Sequence, residues 1–480
     1  MVIKINKEDI CFMSAHDMKD AILRQELTSQ EITETIIERI EKINPIINAY
    51  CTPTFDLARE MAKKADDAVK KGEKLGSLHG IPTSIKDLMQ TKGIRTTFGS
   101  KLYKEFIPDQ NDIAVQRLID AGCVILGKTN TPEFGVPALT NNLVFGETKC
   151  PWDIEKNSGG SSGGAASSVA SGIGPLALGS DGGGSIRIPS SLCGVFGLKP
   201  TFGRIPSYPR EGIHFNSMDH YGPIVRYVRD AALMLNVIKG YYPKDPNSLP
   251  DDSTDYLEIL DDKPNKLKIG YSMTLGFGKS LEEEVKENVM NSVQKFEQFG
   301  WSVEEAKLKL RNPESAFRTT VTVGYGQDFQ REYNTRMNDF SPDIRSTIKL
   351  GLDNNLLNFT KAIEQRKQVN EVLGSFFQEY DLLITPTTPC PAFTPGWLDS
   401  GTVFPKIGKK MLNVITWMTF TFPFNMTGHP AASIPSGWTT TGLPIGMQIV
   451  GRRYNEEIVL QVAQAFEEIA PWQDKRPKFG

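Results

Sequence analysis

Isoleucines at 32, 36, 40 and 43 recur at helical spacing with charged and polar residues between them. Thr28 and Glu31 open this run as a capping box, in which side-chain oxygens satisfy amides of the first helical turn. Pro45 closes the pattern, so an amphipathic helix lying on a core is predicted up to that point. A second helix is predicted over 54–71, lysine-rich on its wet face and stopped by Gly72. Further on, helical spacing gives way to short apolar runs bounded by glycine, proline and polar residues. Strand candidates are residues 78–89, 123–126, the apolar stretch ending at Ser180, 267–272, 303–310, 381–389, 429–435 and 444–451. Helices are predicted before the Ser180 strand, near 229–239, at about 281–299, through most of 313–378 and at 459–469. The acidic, proline-rich residues 241–266 read as a surface loop.

Composition narrows the picture by exclusion. The chain has 480 residues, 39% of them hydrophobic and 23% charged, with a net charge of −3. No basic excess points to nucleic acid. The length allows about three domains, but α/β enzymes also spend such lengths on one large sheet with insertions. Six widely spaced cysteines (Cys11, Cys51, Cys123, Cys150, Cys193, Cys390) form no metal-binding pattern, and a reducing, cytoplasmic setting is expected. The N-terminal residues lack the apolar centre of a signal peptide, and no membrane span is expected.

Residues 157–201 concentrate the candidate chemistry. They hold two glycine-serine clusters, GGSSGG at 159–164 and DGGGS at 181–185. Clustered glycines permit unusual backbone paths that leave successive amides facing one point, an arrangement that binds anions or a transition-state oxyanion. Serines within both clusters supply candidate nucleophiles. The second cluster follows a predicted strand, where open α/β sheets place their ligand sites. Lys86 is set among Ile81, Ile85 and Leu88. It is either a buried amine, whose pKa desolvation lowers, or a stem that snorkels to water.

Two familiar expressions match without their context. Residues 122–129, GCVILGKT, fit the P-loop pattern letter for letter, but the apolar residues between the glycines are themselves β-favouring. Amides spent on sheet pairing do not cradle phosphate, so nucleotide binding is rejected. Residues 159–163 fit G-x-S-x-G, yet a nucleophile elbow follows a buried strand and the preceding PWDIEKNS is polar and turn-like. None of the histidines (His16, His79, His214, His220, His429) lies in an informative motif.

Taken together, GIPTSIKDL at 80–88, GKTNTPEFG at 127–135, the run from GGSSGG through DGGGSIRIPSSLCGVFGLKPT, and the C-terminal GHPAASIP and GLPIGMQIVGR resemble the amidase signature family along nearly the whole chain. The resemblance implies an α/β fold: one large α/β/α domain over 1–480 with a central mixed sheet surrounded by helices. Within it, 1–75 form a helical scaffold, 76–240 the catalytic core, 241–266 a surface loop, 267–380 a variable segment and 381–480 the return to the core. It implies Ser185 as acyl-forming nucleophile, Ser161 as bridging serine held by a cis peptide, and Lys86 as terminal base. It also implies an oxyanion hole from the amides of Gly182, Gly183, Gly184 and Ser185. Gly182 departs from the family pattern, where many members carry a larger residue, a difference expected to loosen the loop without removing an amide donor. Ser162 is expected in a supporting role. Asp181 and Arg187 flank the glycines and either fix the loop or form a surface ion pair of little consequence. Residues 135–141 and 417–424 are pocket candidates, with core packing the main role of the latter.

The expected function is hydrolysis of a linear carboxamide, with possible esterase side activity, no cofactor and no metal. The expected partner is a small-molecule amide substrate, with no nucleic acid and no membrane; a homodimer stays open. The alternatives are the glutaminase component of a tRNA-dependent amidotransferase, or a non-catalytic family member. The tail, ending PWQDKRPKFG, carries no basic region that favours a tRNA partner.

Overall fold

The apolar runs Pro82–Lys86, Val124–Thr129, Leu176–Asp181, Leu382–Pro386 and Pro444–Gly451 become strands buried along their whole length, which is how strands covered on both faces read in sequence. The computed structural model describes residues 5–209, 215–398 and 401–479. Eleven strands form one mixed sheet: β1 (Tyr50–Pro53), β2 (Pro82–Lys86), β3 (Val124–Thr129), β4 (Leu176–Asp181), β5 (Phe196–Lys199), β6 (His220–Val225), β7 (Lys268–Tyr271), β8 (Ser302–Glu305), β9 (Leu382–Pro386), β10 (Ala431–Trp438) and β11 (Pro444–Gly451). Their spatial order is β1-β3-β2-β4-β6-β5-β10-β11-β9-β7-β8. Helices surround the sheet, as the α/β reading requires. Among the described residues, no helix is long and apolar enough to cross a membrane.

One pairing positions the site. β2 and β4 are parallel neighbours, with Ile85 opposite Leu178. Parallel strands end on the same side of a sheet, so the C-terminal residues of β2 and β4, Lys86 and Ser180-Asp181, are brought to one edge.

The helices follow their caps. α1 (Ser29–Ile47) starts with the Thr28–Glu31 capping box, but it continues through Pro45 and closes on Asn48 in the left-handed conformation. Proline in the last turn forfeits a single backbone bond, and burial of Ile47 holds the turn that follows. α2 (Phe55–Lys71) ends on left-handed Gly72, as its sequence indicates. α3 (Gly163–Ala170) and α4 (Arg187–Cys193) follow the two glycine-serine clusters. The stretch 313–378 is α5 (Glu314–Arg336), α6 (Pro342–Leu352) and a third helix, Leu356–Glu379.

Several elements differ from the sequence expectation. The strand expected over 303–310 stops at Glu305, because β7 ends at Tyr271 opposite it and no further partner exists at this sheet edge. Leu308 and Leu310 are buried all the same, so their alternation records core contact by a loop. β6 was hidden by Gly222 and Pro223. Pro223 pairs with Leu178 of β4, while β5 bonds β6 only at Ile224 and Val225, so the missing proline amide falls where β5 makes no demand on it. β1 and β5 are too short for a periodic signal. Residues Asp153–Asn157, expected as turn, form a strand of a two-stranded ribbon with Lys149–Cys150, separate from the main sheet.

Candidate active site

Lys86 ends β2 with no exposed surface, so the snorkelling alternative does not hold. Its Nζ lies 2.6 Å from Ser161 Oγ and donates to the Ser180 hydroxyl at 3.0 Å and the Ser180 carbonyl at 3.3 Å. Burial pushes its pKa from 10.5 down to about 7, against the opposing pull of Asp219 and Asp181. The next residue, Asp87, points to the other face, where it accepts from the Thr97 amide at 3.0 Å and stands 3.8 Å from Lys128 Nζ. Lys128, the lysine of the rejected P-loop expression, is therefore a buried structural cation. It donates to the Met89 carbonyl and to Thr91 and Thr96 hydroxyls, holding the loop beyond Lys86.

The first glycine-serine cluster carries Ser161 after a cis Gly160–Ser161 peptide bond. Ser162 ties the two clusters together: its amide donates to the Ser185 carbonyl at 3.1 Å and its hydroxyl to the Ser180 carbonyl at 3.1 Å. Ser180 itself was missed by sequence reasoning, although a serine directly before DGGGS at a strand end was the available signal.

The second cluster is held from behind by Asp181. Its carboxylate accepts from the amides of Gly184 at 2.7 Å and Ile186 at 3.1 Å, from Asn425 Nδ2 at 2.8 Å and from two Arg187 nitrogens at 2.9 Å each. Arg187 also donates to the Thr421 carbonyl, Gln448 Oε1 and Asn425 Oδ1. Asp181 and Arg187 have no exposed side-chain surface, so this is a buried clamp and not a surface ion pair. Burial alone would raise the Asp181 carboxyl, yet the Arg187 guanidinium and its hydrogen bonds hold it well below the usual carboxylate range.

The clamp corrects one expectation. The Gly184 amide is spent on Asp181 and is unavailable to an oxyanion. Gly184 has another requirement: its φ is +135°, and a Cβ there would lie 2.3 Å from Thr421 Oγ1. Among the described residues, the amides of Gly182, Gly183 and Ser185 have no acceptor. At Gly182 the Phe215 ring occupies the space of the missing side chain, 2.6 Å from where a Cβ would stand.

Removing the arginine should be costly. Arg187→Met leaves the Asp181 carboxylate buried and unpaired, and a loss of ~3–5 kcal/mol in unfolding free energy is expected. Urea unfolding followed by tryptophan fluorescence checks this; a loss below ~1 kcal/mol contradicts the clamp.

A cavity of about 180 Å³ opens in front of these residues, lined by Ser161, Ser180, Gly182, Ser185, Asp219 and Phe329 among others. Ser185 is nearly buried, with 7% exposure, and lines this cavity. Of the stretch 135–141, residues Gly135, Val136, Pro137 and Ala138 line cavity walls. Of 417–424, Met418 does so, and Thr419 and Phe422 line a separate small cavity; Trp417, Phe420 and Phe424 are core. His429 stands apart in a separate groove with Phe377 and Arg453, its Nδ1 2.8 Å from Thr427 Oγ1. Burial and the nearby Lys199 and Arg453 charges push its pKa down to about 3. His214 lies outside the described residues. Among the described residues no cluster of histidine, cysteine and carboxylate side chains has the grouping of a metal site.

A family model described as Amidase matches residues 31–460. The chain is 38% identical to a glutamyl-tRNA(Gln) amidotransferase subunit of Moorella thermoacetica, over 98% of this chain and 99% of that protein. It is 36% identical to an acylamidase of Rhodococcus erythropolis, over 98% of each. The solved structure of a bacterial aryl acylamidase of the amidase signature enzymes superposes with a TM-score of 0.90 at 30% identity, covering 96% of this chain and 97% of that one. With most of its length matched and its architecture shared from end to end, the chain belongs to the amidase signature family and is an amide-hydrolysing enzyme.

Proposed function

We propose that this enzyme hydrolyses a linear carboxamide to a carboxylate and ammonia or an amine through an acyl-Ser185 intermediate, with Ser161 and Lys86 relaying protons. The observation that carries the reading is the 2.6 Å contact between Lys86 Nζ and Ser161 Oγ at the cavity that Ser185 lines. A neutral amine has two N–H donors and one lone pair. Ser180 accepts the two donors, which leaves the lone pair for the Ser161 hydroxyl. Among the described residues the Ser185 hydroxyl makes no hydrogen bond to Ser161; in the relay it turns to donate to it, as catalytic contacts tighten once substrate is bound.

The steps follow. Ser185 Oγ attacks the carbonyl carbon as its proton passes through Ser161 to Lys86. The oxyanion accepts from the unspent amides of Gly182, Gly183 and Ser185. The proton returns through Ser161 to the nitrogen, the C–N bond breaks and the amine leaves. Water then attacks the acyl enzyme by the same path, releasing carboxylate and restoring the serine.

The pH dependence follows from Lys86. Its pKa is lowered to about 7, so the neutral, proton-accepting form is depleted below that value and predominates above it. The kcat/KM for an amide is expected to rise with pH through an apparent pKa near 7 and then level off. A profile that falls as pH rises through 7 contradicts this.

The second reading is the glutaminase component of a tRNA-dependent amidotransferase, favoured by the likeness to the Moorella thermoacetica protein. Incubating the purified chain with a panel of amides and esters, glutamine included, tests both. Turnover by the single chain supports the first reading; glutamine hydrolysis that needs the other amidotransferase components supports the second. Failure to label with a fluorophosphonate and to cleave any amide would favour a non-catalytic protein.

A further inference from the structure

A second cavity, of about 200 Å³, meets the first at Ser185. Ser185 and Gly135 line both, but Ser161 and Ser180 line the first alone. The glycine loop is divided in the same way, Gly182 facing the first cavity and Gly183 the second. Ser185 thus stands on the partition between the two spaces.

The reaction decides which part of the substrate enters which space. The leaving nitrogen must receive its proton from Ser161, so it lies on the Ser161 side. The acyl carbon projects from the opposite side of the carbonyl, away from Ser161. We propose that the second cavity is the acyl subsite, that the first holds the leaving amine, and that the preferred acyl group is apolar and elongated or aromatic. This rests on the Lys86-Ser161-Ser185 reading.

The walls support that class of ligand. Phe317 and Val321 lie one helical turn apart on α5, and Ile415 and Met418 also line the cavity. Phe317 lies beside the glycine loop, because a Cβ on Gly183 would stand 2.8 Å from its ring. The outer end is marked by Leu350 of α6, 46% exposed, and by Arg318, whose side chain is half exposed. The other charged lining residue, Asp343, accepts from the Thr402 amide at 3.1 Å and the Thr402 hydroxyl at 2.7 Å. An acyl group entering from Ser185 therefore meets apolar side chains first and water last.

The test varies the two halves of the substrate separately. For wild-type enzyme, kcat/KM is measured on p-nitroanilides with acetyl, butyryl and hexanoyl groups, and on acetamides with progressively larger amines. A rise of about fourfold per acyl methylene is expected while the chain fits the cavity. In Val321→Trp, which fills the cavity, the hexanoyl-to-acetyl ratio should fall at least tenfold. The wild-type series stands without the variant should the tryptophan impair folding. A flat acyl series, or a Val321→Trp effect on the amine series in place of the acyl series, overturns the subsite while leaving the relay intact. Acylation of a residue other than Ser185, found by mass spectrometry, overturns the relay and the subsite with it.

Discussion

Ser185→Ala is expected to abolish covalent labelling by a fluorophosphonate and to lower amide turnover by on the order of 10⁶-fold, the scale of losing a serine nucleophile from an intact relay. Among the described residues, Ser185 alone combines a cavity-lining hydroxyl with the neighbouring unspent amides of Gly182 and Gly183. Ser161 lies against Lys86, and Ser162 is turned away to the Ser180 carbonyl. The substitution removes one nearly buried oxygen and leaves the Asp181-Arg187 clamp in place, so the variant should fold. Mass spectrometry of the wild-type acyl enzyme is the direct check. An acyl group on Ser161 or Ser162 would overturn the assignment.

Lys86→Ala is expected to lower kcat for amides by about 10⁴-fold, the upper range for a positioned acid-base group. Esters should lose less. An amine is the poorer leaving group and depends on the proton that Lys86 returns, whereas an alkoxide departs with less help. His429→Ala should retain the relay, since His429 is in a different groove. Lys86→Met, which preserves more of the buried volume, guards against collapse of the cavity. Near wild-type amide turnover in a folded Lys86→Ala enzyme would end the hypothesis. A folded but inactive His429→Ala enzyme would favour a histidine relay.

Parts of this were legible in the sequence for local reasons. The capping box of α1, the glycine stop of α2 and the apolar runs of β3, β9 and β11 are written in neighbouring residues. β6 was not, because Gly222 and Pro223 signal a turn unless one knows where β5 stops pairing. Leu308 and Leu310 misled in the opposite sense, showing strand alternation beyond the end of the neighbouring strand. At the site, the residue types and their order pointed to Lys86, Ser161 and Ser185. The partners that set their state did not stand out: Ser180 around the lysine, and Asn425, Thr421 and Gln448 around the clamp.

The sequence by itself therefore determined the chemistry on offer: a lysine in an apolar strand, two serine-bearing glycine loops, and an α/β chain to carry them. Those properties depend on side-chain type and on spacing of a few residues. Tertiary structure decided how those groups are placed and what surrounds them. Only the parallel pairing of β2 with β4 sets Lys86 beside Ser180, and only full burial pushes the pKa of the lysine down to about 7. Only the fold shows that Asp181 takes the Gly184 amide and leaves Gly182, Gly183 and Ser185 unspent. Desolvation and hydrogen-bond satisfaction depend on what surrounds a group in space, and here those neighbours come from strands and helices as many as 261 residues apart.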